Sequence, residues 1–163
     1  MKVVIIEDEL LVANNLAKNI LKVEQKVKIA AILYSIEEAI DWFRKNESPD
    51  LIFSDIQLGD GLSFEIFKSI NCNTPIIFCT AYDEYALKAF KVNGIHYILK
   101  PITIESITEA FNKYKFFKTD ISKNIIQYEN ILELYKNQKP QINDNILVYI
   151  KEKIIPIKFN DIA

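Results

Sequence analysis

The sequence predicts an α/β fold in which a doubly wound parallel sheet is covered by helices on both faces. Short apolar, β-rich runs alternate along the first two thirds of the chain with segments whose apolar residues recur at helical spacing. Several of these runs are apolar throughout, instead of alternating with polar residues. Continuous apolar runs are typical of parallel strands that are buried on both faces.

The first half of this pattern contains three predicted strands, at residues 3–6, 27–32 and 51–54. The first helix is predicted over residues 10–21 from an apolar spacing formed by Leu10, Ala13, Leu16, Ala17 and Ile20. A second helix is predicted to begin after Ser35 and to run to residue 46. Ser35 and Glu38 have the spacing of a capping box, which favours a helix start at this point.

The second half repeats the alternation. Helices are predicted at residues 63–70 and 82–92, and strands at residues 75–79 and 97–99. Right-handed crossovers between five such β/α repeats favour a flavodoxin-like (βα)5 sheet with strand order 2-1-3-4-5.

A long helix is predicted from residue 103 to residue 139, since neither Pro nor Gly interrupts this stretch. Its apolar residues follow a heptad that is broken at Lys118 and consists of Ile107, Phe111, Tyr114, Ile121, Ile125, Tyr128, Leu132 and Tyr135. The stripe beyond residue 120 has nothing in the predicted domain to cover it. We expect a parallel coiled coil with a second copy of the chain, with folding back or fraying as the alternative.

The last residues form a different pattern, with two further strands predicted at residues 146–150 and 154–159. An isolated pair of strands is marginally stable at best. We therefore expect three parts: a domain at residues 1–120, an extended helix or linker at 121–140, and the start of a second domain at 141–163.

Composition excludes several classes of protein. The net charge of −2 gives no general attraction to nucleic acid or to an anionic membrane surface. No apolar stretch reaches the roughly 18 residues of a membrane span, and the N-terminal run is too acidic for a signal peptide. Cys72 and Cys79 form neither a CxxC pair nor a disulfide framework. These features predict a cytoplasmic protein that has no membrane partner.

Polar residues stand where four of the predicted strands end. Glu7 and Asp8 follow the first strand, Asp55 the third, Thr80 the fourth and Lys100 the fifth. Because the carboxyl ends of parallel strands share one edge of the sheet, these side chains are expected to meet in one pocket. Three carboxylates, a hydroxyl and an ammonium suit a divalent metal and a phosphoryl group.

The motifs IIEDE, DIQLGDGL and CTAYDEYALKAFKVNGIHYILKP carry a family resemblance. Residues 1–120 resemble the receiver domain of two-component response regulators. The segment YALKAFKVNGIHYILKPI is similar to the LytTR (LytR/AlgR-like) subfamily in particular. The tail ILVYIKEKIIPIKFNDIA is similar to the first strands of the DNA-binding domain of that subfamily.

The resemblance implies a role for each residue of the pocket. Asp55 would accept a phosphoryl group from a phosphohistidine of a sensor histidine kinase, forming an acyl phosphate. Asp8, Asp55 and the backbone carbonyl of Gln57 would ligate Mg²⁺, and Glu7 would act through water. Lys100 would pair with a phosphoryl oxygen. The bond between Lys100 and Pro101 is expected to be cis.

The resemblance also implies a switch. Thr80 would bond to the phosphoryl group and draw Tyr97 inward, shifting the population of two arrangements. The changed surface, formed by the fourth helix, fifth strand and fifth helix, would join the extended helix in a homodimer. DNA would be bound only through the second domain, which is incomplete in this chain. Catalysis would extend only to the protein's own phosphorylation and dephosphorylation.

Three alternatives are weighed against this interpretation. A phosphatase of the haloacid dehalogenase class would need a second Asp where Gln57 stands. A flavin binder would need a Ser/Thr/Gly-rich phosphate loop where the chain has Glu7, Asp8 and Glu9. A degenerate receiver that serves only as a constitutive dimerisation module is disfavoured by the complete acidic set, but the sequence leaves it open.

Overall fold

The computed structural model describes residues 1–70, 72–82, 85, 89–119, 145–150 and 153–158. For Phe90 and for the last two ranges it describes the backbone. The chain divides into two compact units, Met1–Thr119 and Asp120–Ala163.

The first unit is built on a parallel five-stranded sheet. Its strands are β1 (Lys2–Ile6), β2 (Lys28–Leu33), β3 (Leu51–Ser54), β6 (Ile76–Thr80) and β7 (Gly94–Leu99). They are ordered β2-β1-β3-β6-β7 across the sheet. Two short strands, β4 (Gln57–Leu58) and β5 (Gly61–Leu62), form a separate antiparallel pair. Counting the strands of the main sheet alone, the order confirms the predicted 2-1-3-4-5 arrangement.

Four helices flank this sheet within the described residues: α1 (Leu10–Val23), α2 (Ile36–Lys45), α3 (Phe64–Ser69) and α4 (Ile104–Thr119). The capping pattern at α2 is confirmed, because Ser35 Oγ accepts a hydrogen bond of 3.1 Å from the Glu38 amide. Glu38 Oε2 in turn accepts one of 2.8 Å from the Tyr34 amide. The first bond satisfies an N–H group that the helix start leaves without a partner, and the second ties the Glu38 side chain to the residue before the N-cap.

Two apolar cores lie on opposite faces of the sheet. Val3, Ile5 and Phe53 pack with residues of α1 and α4. Val4 and Ile52 belong to the other cluster, with residues of α2 and α3. Successive residues of one strand therefore enter different cores. This double burial explains why the sequence runs are continuously apolar.

The start of β7 differs from its prediction. The strand begins at Gly94 instead of residue 97. Asn93, just before it, has a positive φ of 62°, and a Cβ added to Gly94 would lie 2.5 Å from the Ala89 carbonyl oxygen. The glycine is needed for this close approach. It also hid the strand start, since Gly ordinarily weakens a strand.

Other predictions fall partly outside the described residues. Of the predicted helix at 82–92, a 3₁₀ turn at Phe90–Val92 is described. The extended helix at 121–140, with its heptad, lies outside the described residues. In the second unit, β8 (Asn145–Ile150) and β9 (Lys153–Lys158) pair antiparallel, close to the predicted positions. In the described part of the chain, no helix has the length and apolar character needed to cross a bilayer.

Candidate functional site

The backbone places three of the predicted site residues, Glu7, Asp55 and Lys100, directly after strands of the main sheet. The Asp55 amide donates to the Ile6 carbonyl at 2.8 Å, and the Glu7 amide donates to the Leu33 carbonyl at 3.0 Å. The Lys100 amide donates to the Thr80 carbonyl at 2.9 Å. The parallel ladder thus sets the first residues after β1, β3 and β7 at one edge.

The ammonium of Lys100 bridges two carboxylates at this edge. Its Nζ lies 2.6 Å from Asp55 Oδ2 and 2.9 Å from Glu7 Oε2. It also donates a 3.2 Å hydrogen bond to Glu7 Oε1. The side chains are 20% exposed for Lys100, 10% for Asp55 and 1% for Glu7, so the cluster is largely shielded from solvent. Residues that are 45 and 93 positions apart in the sequence thus meet in one cluster.

Burial and pairing act against each other on these groups. Burial raises the pKa of the Glu7 carboxyl, although the hydrogen bond and charge of Lys100 act to lower it. Burial disfavours the charge of Lys100, but its hydrogen bonds to Asp55 and Glu7 raise the lysine pKa. Lys100 therefore remains protonated at neutral pH and offsets part of the cost of burying these carboxyl groups.

Backbone groups fix the second oxygen of Asp55. Asp55 Oδ1 accepts hydrogen bonds from the Ile56 amide at 2.5 Å and from the Gln57 amide at 3.3 Å. Because Oδ2 is held by Lys100, both carboxylate oxygens have defined partners. The carboxylate is therefore oriented before any reaction, which reduces the reorganisation that a transfer would require.

Thr80 ends β6 beside this cluster. Its side chain is fully buried, and its Oγ1 has no hydrogen-bond partner within the described part of the chain. A buried hydroxyl without a partner is energetically unfavourable, so an oxygen-rich group bound at this edge would relieve it. Tyr97 lies on the adjacent strand, opposite Phe78. Tyr97 is partly buried and its hydroxyl donates to the Tyr82 carbonyl.

The oxygen donors of this edge fit Mg²⁺. Asp8 is exposed, and its Oδ2 faces Gly59, where an added Cβ would lie 3.5 Å away. Within the described ranges, no three His, Cys, Asp or Glu side chains form a metal cluster by themselves. Mg²⁺ does not require such a cluster, because it binds through one or two carboxylates and keeps several waters. Asp8 and Asp55, which follow neighbouring strands at this edge, are the carboxylates that would hold such an ion.

Several features of the site were not foreseen. Lys100 contacts Glu7 directly, and Gln57 Nε2 donates to Tyr85 Oη at 3.4 Å. The pair β4–β5 forms a hairpin immediately after Asp55. Its Gly59-Asp60-Gly61 turn was visible in the sequence and could have indicated a hairpin. In contrast, the cis bond between Lys100 and Pro101 was expected from the sequence and is present.

Comparison with known proteins places this geometry in a family. A family model described as the response regulator receiver domain matches residues 3–112. The sensory transduction protein LytT of Bacillus anthracis is 35% identical over 158 residues, covering 93% of this chain and 63% of that protein. LytR of Staphylococcus haemolyticus is 31% identical over 170 residues, covering 100% of this chain and 66% of the relative. The chain spans less than two thirds of the length of both proteins.

Solved structures show the same architecture. The response regulatory domain of protein mrkE from Klebsiella pneumoniae is 28% identical with a TM-score of 0.63, and the match covers 73% of this chain and 96% of that one. The N-terminal domain of a response regulator/sensory box/GGDEF 3-domain protein from Carboxydothermus hydrogenoformans is 26% identical. Its TM-score is 0.64, with 74% of this chain and 99% of the other covered. The chain belongs to the response regulator receiver family, and LytT and LytR proteins are among its relatives.

Proposed function

We propose that this chain is a phosphorylation-dependent switch in which Asp55 accepts a phosphoryl group from a sensor histidine kinase. The observation that carries the proposal is the position of Lys100 Nζ, 2.6 Å from Asp55 Oδ2 and 2.9 Å from Glu7 Oε2. A shielded carboxylate with a fixed ammonium at its side is suited to receive a group whose oxygens carry negative charge.

In the transfer, an oxygen of the Asp55 carboxylate forms a bond to phosphorus while the phosphorus–nitrogen bond to the donor imidazole breaks. The attacking oxygen of a carboxylate carries no proton, so the attack needs no general base. Its two hydrogen bonds to the amides of Ile56 and Gln57 keep it oriented for in-line attack. The product is an acyl phosphate, and the donor histidine leaves with the bonding electron pair.

Other residues stabilise the transferred group. Lys100 would share its ammonium between Asp55 and a phosphoryl oxygen, which offsets charge that develops in the transition state. The buried hydroxyl of Thr80 would donate a hydrogen bond to a phosphoryl oxygen. Asp8, Asp55 and the backbone carbonyl of Gln57 would hold Mg²⁺ directly, with Glu7 acting through water. When bound, Mg²⁺ supplies charge neutralisation for phosphoryl oxygens.

The output is proposed to pass through the neighbouring strand. A bond between Thr80 and the phosphoryl group would favour an arrangement in which Tyr97 gives up its bond to the Tyr82 carbonyl and turns inward. Relatives carry the names sensory transduction protein and transcriptional regulatory protein. By analogy, we propose that the switched surface and the extended helix form a homodimer in the cytoplasm. DNA would be bound through a following domain.

Phosphorylation can be tested directly on the purified chain. Incubation with Mg²⁺ and acetyl phosphate, followed by intact-mass spectrometry, is expected to show one added phosphoryl group per chain. Asp55→Asn is expected to show none, while Asp41→Asn, a change at an exposed aspartate of α2, serves as a matched control that keeps the label. An unmodified wild-type chain would contradict the proposal and support a constitutive dimerisation module. Continuous release of inorganic phosphate with rapid turnover would indicate a phosphatase instead.

A further inference from the structure

A short hairpin connects the candidate phosphoacceptor to the rest of the fold. Its strands pair Gln57 with Leu62 and Leu58 with Gly61, two residues beyond Asp55. The Ser63 amide donates to the Ile56 carbonyl at 2.9 Å and closes the base of the hairpin. Whatever holds the tip of this hairpin also determines where the backbone of Gln57 lies.

The tip is held by Asp60. Its Oδ2 accepts hydrogen bonds from the amides of Ile36 at 2.8 Å and Glu37 at 3.3 Å. These amides belong to the first turn of α2, whose N–H groups have no partners within the helix. Ser35 serves a different amide, that of Glu38. The first turn of α2 is therefore capped twice, once from its own chain segment and once from the hairpin.

Packing reinforces the connection. Gly61 has a φ of +141°, and a Cβ added there would lie 3.1 Å from Ile36 Cδ1. Leu58 is buried in the same apolar cluster as Ile36. The hairpin backbone thus lies directly against the first residue of α2, at a position that only glycine fits without strain.

The opposite side of the hairpin faces the carboxylates. Gly59 lies against Asp8 Oδ2, and the Gln57 amide donates to Asp55 Oδ1. We propose that Asp60 is a positioning residue, which anchors the hairpin on α2 so that its backbone stays beside Asp8 and Asp55. Divalent-cation affinity then depends on a carboxylate that does not touch the cation. This inference rests on the proposed function.

The expected effect of Asp60 substitutions on Mg²⁺ affinity follows from what is known of residues that orient metal ligands without touching the metal. Outer partners that orient metal ligands contribute about 10- to 100-fold to metal affinity. Asp60→Ala removes both hydrogen bonds to α2 and is expected to raise the Mg²⁺ concentration at half-saturation about tenfold. Asp60→Asn keeps an acceptor oxygen at the same distance along the side chain. It is expected to retain an affinity near that of the wild type.

Ser35→Ala is the matched control. It removes the other cap from the same helix, so it lowers the stability of α2 as Asp60→Ala does, but it leaves the hairpin anchored. Its Mg²⁺ half-saturation is expected to equal that of the wild type. If Asp60 acted only by stabilising α2, Asp60→Ala and Ser35→Ala would raise the Mg²⁺ concentration at half-saturation by the same factor.

Selective labelling makes the measurement simple, because the chain contains only three glycines. With ¹⁵N-glycine, Gly59 and Gly61 report on the hairpin and Gly94, at the start of β7, is an internal reference. Magnesium chloride is titrated into wild type, Asp60→Ala, Asp60→Asn and Ser35→Ala without any phosphodonor. The half-saturation point is read from the hairpin signals. Should Asp60→Ala not fold, Asp60→Glu provides the comparison, with a smaller shift in the same direction.

The outcomes separate this inference from the function on which it rests. An Asp60→Ala midpoint equal to that of the wild type, or a Ser35→Ala shift as large as that of Asp60→Ala, overturns the positioning role alone. Failure of Asp60→Asn to restore the affinity also overturns it. Wild-type hairpin signals that do not respond to magnesium overturn the proposed magnesium site together with the inference.

Discussion

Two ion pairs at opposite edges of the sheet have the same length but different surroundings. Lys2 Nζ lies 2.9 Å from Glu47 Oε2, and Lys100 Nζ lies 2.9 Å from Glu7 Oε2. The first pair is exposed, with 57% and 86% of the side chains accessible, whereas the second has 20% and 1%. The comparison isolates the effect of burial on one kind of contact.

The pKa values of the two glutamates move in opposite directions. The hydrogen bond from Lys2 lowers the pKa of Glu47, as expected for a solvated pair. Burial raises the pKa of Glu7 despite its contact with Lys100. Distance alone therefore does not determine what an ion pair contributes. The exposed pair contributes little to stability. The buried pair keeps a carboxyl group in surroundings that disfavour its charge, and a bound cation would relieve this cost.

The largest effect is expected from Lys100→Met. This change leaves the buried carboxylates of Glu7 and Asp55 without their cation, and it should lower the free energy of unfolding by about 3 kcal/mol at pH 7. Urea denaturation without divalent ions measures the loss. The phosphorylation rate with acetyl phosphate should also fall by about 100-fold. Lys2→Met is the control at the exposed edge and should leave both quantities unchanged. Equal losses in the two variants would contradict the distinction between the edges.

A smaller, pH-dependent effect is expected from Glu7→Gln. Because the folded-state pKa of Glu7 is raised, folding favours the protonated carboxyl. This stabilising contribution is present below the ordinary value of 4.5 and is lost as the pH rises through the raised pKa. Glu7→Gln cannot lose a proton, so it avoids this loss of stability. The stability of the variant relative to wild type should therefore increase as the pH rises from 4.5 through the raised pKa of Glu7. Urea midpoints in EDTA from pH 4 to pH 8 test this, and a constant difference would count against it.

The smallest effect is expected from Glu47→Gln. The lowered pKa of Glu47 implies the opposite sign, with a contribution present above 4.5 and lost as the pH falls through the folded-state pKa. Since the pair is exposed, the variant should unfold at the same urea concentration as wild type at pH 7. Any difference at low salt should disappear near 1 M salt, where screening extends over only about 3 Å. A salt-resistant loss of stability would show that this pair is not a simple surface contact.

The sheet was predictable because several of its strands carry the same signal. Continuous apolar runs such as those of β1, β3 and β6 indicate strands buried on both faces, and hence a parallel sheet between helices. Convergence of Asp55, Thr80 and Lys100 followed from the shared edge of parallel strands. Those inferences need only the order of elements, which the sequence displays directly.

The features that the sequence did not predict depend on which side chains meet after folding. The 1% exposure of Glu7 and its contact with Lys100 result from how β1, β3 and β7 assemble, and no local pattern encodes them. Asp60 was visible only as part of a turn. Its bonds to the amides of Ile36 and Glu37 cross more than 20 residues of sequence. The start of β7 was missed because a close contact with Ala89 requires Gly94 in a strand.

The central claim is that Asp55 is the phosphoacceptor. Acyl phosphates are reduced by borohydride, which converts a phosphorylated aspartate to homoserine. After treatment with Mg²⁺ and acetyl phosphate, reduction and peptide mapping should therefore find homoserine at position 55 and nowhere else. Homoserine at Asp8 or Asp60, with an unmodified Asp55, would contradict the account.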